Sequence, residues 1–417
     1  MKTVLIKEEL EYLDEDMKYL FLSYLHKNLE DFTTNGWSGS GHFIDDEVHS
    51  LDHFVNIDEM TLSLPEGFKV PVKFTTNWIK GSLLDLEVST NISETKWNLL
   101  IQYLNKAISK SFAMLTGQKK EKHFFRVRFG YIGLPLDGAY YISNFRISPA
   151  TQGQGSFMGE NYIYLDMDID GINYSHAHSR LQVFAKEVTS ILSVILNTGF
   201  YKIEYDNRWV LLSEKEHGRF QLGFHDNEPY PKSMPIKDPK KAGTFSEDLK
   251  EYIESTLNQK TLRFPRSIRK LFRAYYSLPT DEQEAFLNAS RMFQISLTAG
   301  RKSRTVRASY QLAALDALSK PYRQKSNNKN AIMTLTDAFY SQGQGKKIGE
   351  LYDSIRSAHF HQGYFDASDI SGLEIRPFLG PHWLIQEIDY LFNNNIVFII
   401  LNRWLSEKVT QETKHSG

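Results

Sequence analysis

Four prolines within a short span constrain this chain more than any other feature. Residues 228–244 read EPYPKSMPIKDPKKAGT, with Pro229, Pro231, Pro235 and Pro239. Each ring fixes φ and removes an N–H donor, so neither a helix nor a central strand can run through the stretch. The spacing predicts a first domain over 1–236, a Pro/Lys-rich linker over 237–244, a second domain over 245–407 and a polar tail over 408–417. At 417 residues, the chain has room for two or three domains of ~100–200 residues each.

The charge changes at the same place. Residues 237–417 hold 26 Lys and Arg against 19 Asp and Glu, whereas residues 1–236 are net −8. Within the basic part, 260–307 carries 11 Lys and Arg against three acids, Asp281, Glu282 and Glu284. Such a window suits a polyanion; a solvated helix surface is the alternative. Aromatic residues at 13% exclude disorder as the main state. The absence of Cys excludes disulfide frameworks, Cys-ligated zinc, iron–sulfur clusters and thiol nucleophiles. Residues 1–30 carry Glu8, Glu9, Glu11, Asp14, Glu15 and Asp16 where a signal peptide needs an apolar stretch. The run Ile396 to Leu401 is too short to cross a bilayer. A soluble cytoplasmic protein with no membrane partner is the expectation.

Upstream of the prolines the texture is α+β. HFFRVRFGYIG (123–133), GAYYISNFRIS (138–148), NYIYLDMDIDG (161–171) and FYKIEYDNRWVLL (200–212) alternate near period two and are rich in aromatic and β-branched residues. Asp206-Asn207 and Asp170-Gly171 sit where hairpin turns are expected. Apolar spacing predicts helices over 94–115 and 178–197, with a third in the opening segment around Leu13, Tyr19, Phe21, Leu22 and Leu25. Downstream, helical signals dominate, near 245–258, 265–277, 281–299, 303–319, 330–341, 347–361 and 382–407. Thr244 with Glu247 and Thr280 with Gln283 have capping-box spacing. An all-α bundle is predicted for this half.

The sharpest local pattern is LYDSIRSAHFHQGYF, residues 351–365. It places Arg356, Ser357, His359 and His361 near the end of a helix that Gly363 closes. Arg356 and His359 share a face, while His361 lies about 140° round unless the last turn loosens. A guanidinium grips phosphodiester oxygens bidentately, and an imidazole of ordinary pKa ~6.5 moves protons near neutral pH. The structural alternative is an Arg paired with Asp353 and a helix-end His on the last carbonyls.

R-S-A-H-F-H-Q-G resembles the R-x(4–6)-H motif of HEPN domains, in the R-S-x-x-x-H-x-G form of the Apea-like branch, with an upstream Leu-Tyr pair. Arg356 takes the motif Arg, Ser357 the polar residue after it and His361 the motif His. Tyr352 belongs to the upstream pair, and His359 is an extra inside the spacer. The resemblance covers about 260–405, including SYQLAALDAL (309–318), where Asp316 stands in place of an expected Glu. Residues 1–236 resemble no family.

The resemblance implies a HEPN-like helical domain and an endoribonuclease that needs no metal or other cofactor. It also implies a homodimer whose motif helices pair across one cleft. Many such proteins are toxins or phage-defence (abortive-infection) effectors, so an inhibitory or activating protein partner is a further expectation. RNA is the expected ligand, with Arg301, Lys302, Arg304, Arg307, Lys346 and Lys347 as candidate contacts. The rival is a non-catalytic HEPN-like scaffold binding nucleic acid or protein.

Three further patterns are weaker. Asp166, Asp168, Asp170 and Gly171 begin like a calcium loop, but Ala177 stands at its twelfth position, so an exposed edge strand is expected. His176 and His178 follow, more simply as polar-face residues than as metal ligands. SQGQGKK (341–347) lacks Walker A spacing, leaving a looser phosphate role or a plain interhelix loop. Phe125, Arg126, Arg128 and Phe129 lack the spacing of an RNA-recognition signature, so sheet core with solvated Arg is predicted.

Overall fold

The computed structural model describes residues 2–30, 38–43, 53–64, 67–79, 81–115, 120–142, 144–150, 159–171, 174–202, 208–211, 217–220, 231–246, 260–321, 328–363, 365, 369, 388, 390–393 and 395–415. They form two compact units: Met1–Glu121 with Asp170–Ala177, and Lys122–Ile169 with His178–Gly417. The architecture is mixed α+β.

The first unit holds a five-stranded antiparallel sheet that the sequence reading did not anticipate. Its strands are β1 (Lys2–Ile6), β2 (Ser38–Phe43), β3 (His53–Ser63), β4 (Lys69–Ile79) and β5 (Ser82–Thr90), in the order β1-β5-β4-β3-β2. The alternation is regular in β4, where Val70, Val72 and Phe74 are buried between the outward Lys69 and Lys73. Its apolar residues are interleaved with charged and polar ones, a quieter signal than the aromatic runs further on. A four-residue turn α1 (Glu8–Glu11) is followed by α2 (Glu15–Glu30) and α3 (Glu94–Leu115), matching the predicted opening helix and 94–115. Phe21 of α2 stacks on Phe112 of α3 with centroids 4.3 Å apart. Leu20, Leu25, Leu100 and Leu104 share one core with Val70, Val72 and Val88. Asn28 Nδ2, buried between the helices, donates to Ser111 Oγ at 2.9 Å.

The second unit is built on β6 (Glu121–Ile132), β7 (Tyr140–Ile142), β8 (Phe145–Pro149), β9 (Glu160–Gly171) and β10 (Tyr201–Lys202), in the order β10-β6-β9-β8-β7. A separate ribbon pairs β11 (Arg208–Leu211) with β12 (His217–Phe220). The predicted strand 138–148 is thus two strands of a hairpin, and Asp206-Asn207 lies outside the described residues. Asp170-Gly171 is not a hairpin turn. It ends β9 before α4 (Tyr174–Leu196), and a Cβ on Gly171 would collide with Ala177, where that helix begins.

The three-Asp segment is also corrected. Because β9 lies between β6 and β8, it is no edge strand. Asp166 is fully buried and takes Arg126 Nε at 2.6 Å, Arg126 Nη2 at 3.0 Å and Arg146 Nη1 at 2.5 Å. Two guanidiniums compensate one buried carboxylate, the arrangement a buried charge needs. Arg126 and Arg128 also lie over the rings of Tyr164 and Tyr162, at 4.3 and 4.5 Å. These arginines are therefore engaged with the sheet, not simply solvated as predicted.

The sequence reading separates an α+β half from a helical half at the prolines, but the second sheet and the later helices belong to one compact unit. The physical reason is α4. Every residue from Val188 to Leu196 is buried, the hydroxyls of Thr189, Ser190 and Ser193 included, so this part of the helix is enclosed on all sides. Phe184 meets Phe145 of the sheet at 6.2 Å. Ser190 Oγ donates to Gln294 Oε1 at 2.7 Å, and Asn402 Nδ2 donates to the Val194 carbonyl at 3.0 Å. The described part of the proline-rich segment is a strap on this sheet. Ala139 N–H donates to the Lys241 carbonyl at 2.8 Å, Gly243 N–H returns to the Ala139 carbonyl at 3.0 Å, and Tyr141 Oη donates to the Pro235 carbonyl at 3.0 Å.

The helices that follow are α5 (Ile268–Ser277), α6 (Thr280–Thr298), α7 (Arg304–Ser319), α8 (Asn328–Phe339), α9 (Gly345–Leu351), α10 (Ala358–Gln362) and α11 (Ile396–His415). A π-helical turn, Tyr352–Ser357, joins α9 to α10. Five of the predicted helices thus match within a few residues, the last is described from Ile396, and the one at 245–258 lies almost wholly outside the described residues. Of the first capping box Glu247 lies outside them too, while Thr244 N–H and Oγ1 both donate to Asp137 Oδ2. The second capping box does not form: Pro279 is the N-cap, and Gln283 Nε2 instead donates to the Tyr275 carbonyl at 3.5 Å. Trp404 of α11 stacks on Phe286 of α6 at 5.4 Å. No helix among the described residues is long and apolar enough to cross a membrane.

Candidate functional site

The motif helix packs on α7, and two contacts set its position. Arg356 Nη2 approaches Asp316 Oδ2 at 3.4 Å, and Phe360 meets Tyr310 edge-on at 5.4 Å. Asp316 on α7 thus faces the guanidinium of Arg356. The rings of Tyr352 and Phe360 flank the guanidinium at 5.2 and 5.5 Å. Tyr352 is buried at 8% exposure and forms the floor. The pair is neither deep nor tight, since the Arg356 side chain is 25% exposed and that of Asp316 14%.

Arg356 and Tyr352 sit on the π turn, a departure from α geometry that recurs at functional sites. Ser357 is half-buried at the junction with α10 and makes no side-chain cap there. The π turn runs to Ser357 and the α-helix resumes at Ala358, so the interval from Arg356 to His361 starts in the loosened turn. Regular helix at about 100° per residue places His361 roughly 140° round from Arg356. His361 is exposed in the last turn, which Gly363 closes at φ 65°. His359 is half-buried, with Phe360 at 5.3 Å and Phe365 edge-on at 4.9 Å. Phe360 and Phe365 are 42% and 41% exposed, so the helix end combines an imidazole with an open aromatic surface.

The candidate cations separate into different roles. Arg301 and Lys302 are exposed on the 3-10 turn Ala299–Lys302. Arg307 lies over Phe392 at 4.4 Å; burial and the charge of Arg304 both hold its pKa below the ordinary value. Lys346 is exposed, whereas Lys347 Nζ sits 3.8 Å over the Tyr390 ring. At the start of α9, Gly345 N–H already donates to Asp337 Oδ1 at 2.7 Å, so this group is not open to a phosphate. A Cβ on Gly345 would strike the Met333 carbonyl, so this glycine serves helix packing. Part of the basic window is likewise structural. Arg269 donates twice to the Tyr141 carbonyl, at 3.1 and 2.9 Å, and Arg263 faces Asp137 at 3.7 Å.

The histidines after the Asp run do not assemble. His176 is buried against Tyr19 at 5.3 Å and reaches Asp16 at 3.3 Å, while His178 is exposed beside Gln182. Among the described residues, no three His, Cys, Asp or Glu side chains form a group able to hold a metal ion.

Two features escaped the sequence reading. The first is Asp316 as the counter-ion of Arg356, detectable only as an acid on the inward side of SYQLAALDAL. The second is a cleft of about 610 Å³ lined by Glu160, Tyr201, Arg301 and Arg307, with residues around Asn197 and Thr298. Its residues come from four separate stretches, which no local motif joins. Comparison with protein-family models, curated proteins and solved structures found no match.

Proposed function

We propose that this chain is a HEPN-type endoribonuclease of the toxin or phage-defence kind, cutting RNA through the ribose 2′-hydroxyl. The observation that carries the reading is the motif helix itself. An arginine sits on a π turn, backed by Asp316 and two rings, and an exposed histidine follows five residues later.

In this reaction His361 takes the 2′-OH proton and the 2′-oxygen attacks the adjacent phosphorus. Arg356 balances charge on the pentacoordinate phosphorane, with Tyr352 beneath it and Ser357 orienting the phosphate or Arg356. The bond from phosphorus to the 5′-oxygen breaks, and His359 supplies that oxygen's proton. The products are a 2′,3′-cyclic phosphate and a 5′-hydroxyl. A strand lacking the 2′-hydroxyl has no nucleophile.

One chain holds Arg356 and His361 on different sides of the helix, so the reading requires a second copy. The exposed Phe360 and Phe365 offer an apolar surface for that pairing. The same separation, together with the Asp316 contact, favours the rival reading of a scaffold in which Arg356 only braces two helices.

His361→Ala tests both. An exposed helix-end imidazole carries little packing, so the variant is expected to fold and dimerise normally while cleavage falls about 10²–10⁴-fold. Wild-type cleavage by this variant, in a preparation free of other nucleases, would leave the scaffold reading in its place.

A further inference from the structure

The cleft in the second unit is built like a site for a small polar ligand. Its volume of about 610 Å³ lies within the ~300–1,000 Å³ typical of small-molecule sites. On one wall Glu160 is held by two phenols: Tyr201 Oη donates to Oε1, and Tyr162 Oη donates to Oε2 at 2.6 Å. Burial raises the pKa of both tyrosines, so both remain donors at physiological pH. This carboxylate is fixed before any ligand arrives.

Arg301 and Arg307 also line the cleft. Among the described residues neither has a carboxylate partner within ion-pair distance, and Arg307 Nε is buried without a hydrogen bond. An unmatched, partly desolvated guanidinium is costly unless something anionic meets it. Asn197 and Thr298 line the same space, but the carbonyls closing α4 are taken: Ser193 by Thr198 N–H, Val194 by Asn197 N–H and Leu196 by Thr198 Oγ1. The cleft thus offers two cations alongside the fixed Glu160 carboxylate. Inorganic phosphate uses the cations alone. A ligand carrying both an anion and N–H or O–H donors uses the whole lining.

We propose that this cleft binds a nucleoside phosphate, its phosphate on Arg301 and Arg307 and its sugar or base donors on Glu160. None of these residues belongs to the motif helix, so the inference does not rest on its chemistry, although Arg301 and Arg307 are also candidate RNA contacts of the nuclease reading. The nucleotide has two sources, a free nucleotide or one unit of an RNA strand.

The test is calorimetric titration of the full chain with AMP, GMP, CMP, UMP and inorganic phosphate. At least one nucleotide is expected to bind more tightly than phosphate. Arg301→Gln and Arg307→Gln should each weaken it about tenfold or more. Glu160→Gln should weaken the nucleotide while leaving phosphate unchanged. Displacement by an uncleavable 2′-O-methyl oligonucleotide would identify an RNA strand as the source, and failure to displace a free nucleotide. The proposal falls if no nucleotide outcompetes phosphate, or if Arg301→Gln, an exposed position whose change spares the fold, leaves the affinity unaltered.

Discussion

Replacing Arg356 and Asp316 separately distinguishes a catalytic arginine from a bracing one. Their 3.4 Å separation exceeds the ~2.7–2.9 Å of a strong charge-assisted bond. With the arginine a quarter exposed, solvent screens the pair, leaving about 1 kcal/mol at most. The Tyr352 and Phe360 rings add about 0.5–1 kcal/mol each. Arg356→Ala is therefore expected to cost about 1–3 kcal/mol of stability, a few degrees in Tm for each kcal/mol in a unit of this size. Its effect on cleavage should be larger, about 10²–10³-fold, because phosphorane charge goes unmatched. Arg356→Lys should rescue poorly, since it loses the bidentate fork. Asp316→Asn removes the same ion pair but keeps the guanidinium, so it should cost about 1 kcal/mol and change cleavage less than about tenfold. Urea unfolding and single-turnover cleavage of a fluorogenic RNA at fixed salt supply the two readouts. If Arg356→Ala and Asp316→Asn reduce cleavage by one common factor that follows their stabilities, Arg356 is a brace.

Asp166→Asn should destabilise the second unit by about 3–5 kcal/mol, because Arg126 and Arg146 lose their buried counter-charge; denaturant unfolding with hydrogen exchange along β9 checks this, and a change under about 1 kcal/mol would contradict it. Asp369 caps α7 by accepting from Ser303 Oγ, Arg304 N–H and Thr305 N–H at 2.8, 2.8 and 2.9 Å. Burial works against its charge, but the hydrogen bonds from Thr305, Ser303 and Arg304 prevail and hold its pKa below 3.8. A depressed folded-state pKa stabilises above the unfolded value and loses that contribution as pH falls through the folded one. Asp369→Asn should thus cost about 0.5–2 kcal/mol at pH 7, with the gap to wild type narrowing below about pH 4 in acid titrations of stability. RNA affinity should fall with salt, each phosphate contact adding about −0.7 to the log–log slope on a single strand; a flat response would assign the remaining exposed cations to solvated surface. Sedimentation at micromolar concentration should show a dimer, and a strict monomer would remove the composite site.

Local pattern carried much of this protein. The apolar spacing of 94–115, 281–299 and 303–319 is visible in the sequence because one helical face meets the core every three to four residues. The aromatic alternation of 123–133 and 161–171 marks strands for the matching period-two reason. Gly363 as a left-handed helix end is a local requirement, and it stands where the sequence put it. The clustering of Arg356, His359 and His361 is likewise a property of fifteen consecutive residues.

Only tertiary structure decided what those elements touch. Prolines forbid a helix or central strand whether the segment is a free linker or a strap, and the choice depended on Ala139, Tyr141 and Gly243 meeting across the sheet. The alternation in β9 puts three Asp on one face, but whether that face is open depends on the strands flanking it. With β6 and β8 on either side, Asp166 became the buried centre of an ion cluster rather than an exposed edge residue. Net charge counts side chains and not their partners, so the basic window concealed that Arg269 is already committed to a carbonyl. Asp316 and Arg356 lie forty residues apart, and the Glu160 and Arg301 walls of the cleft still further. Contacts over such separations arise from how helices and sheets pack, and no window along the chain contains both partners.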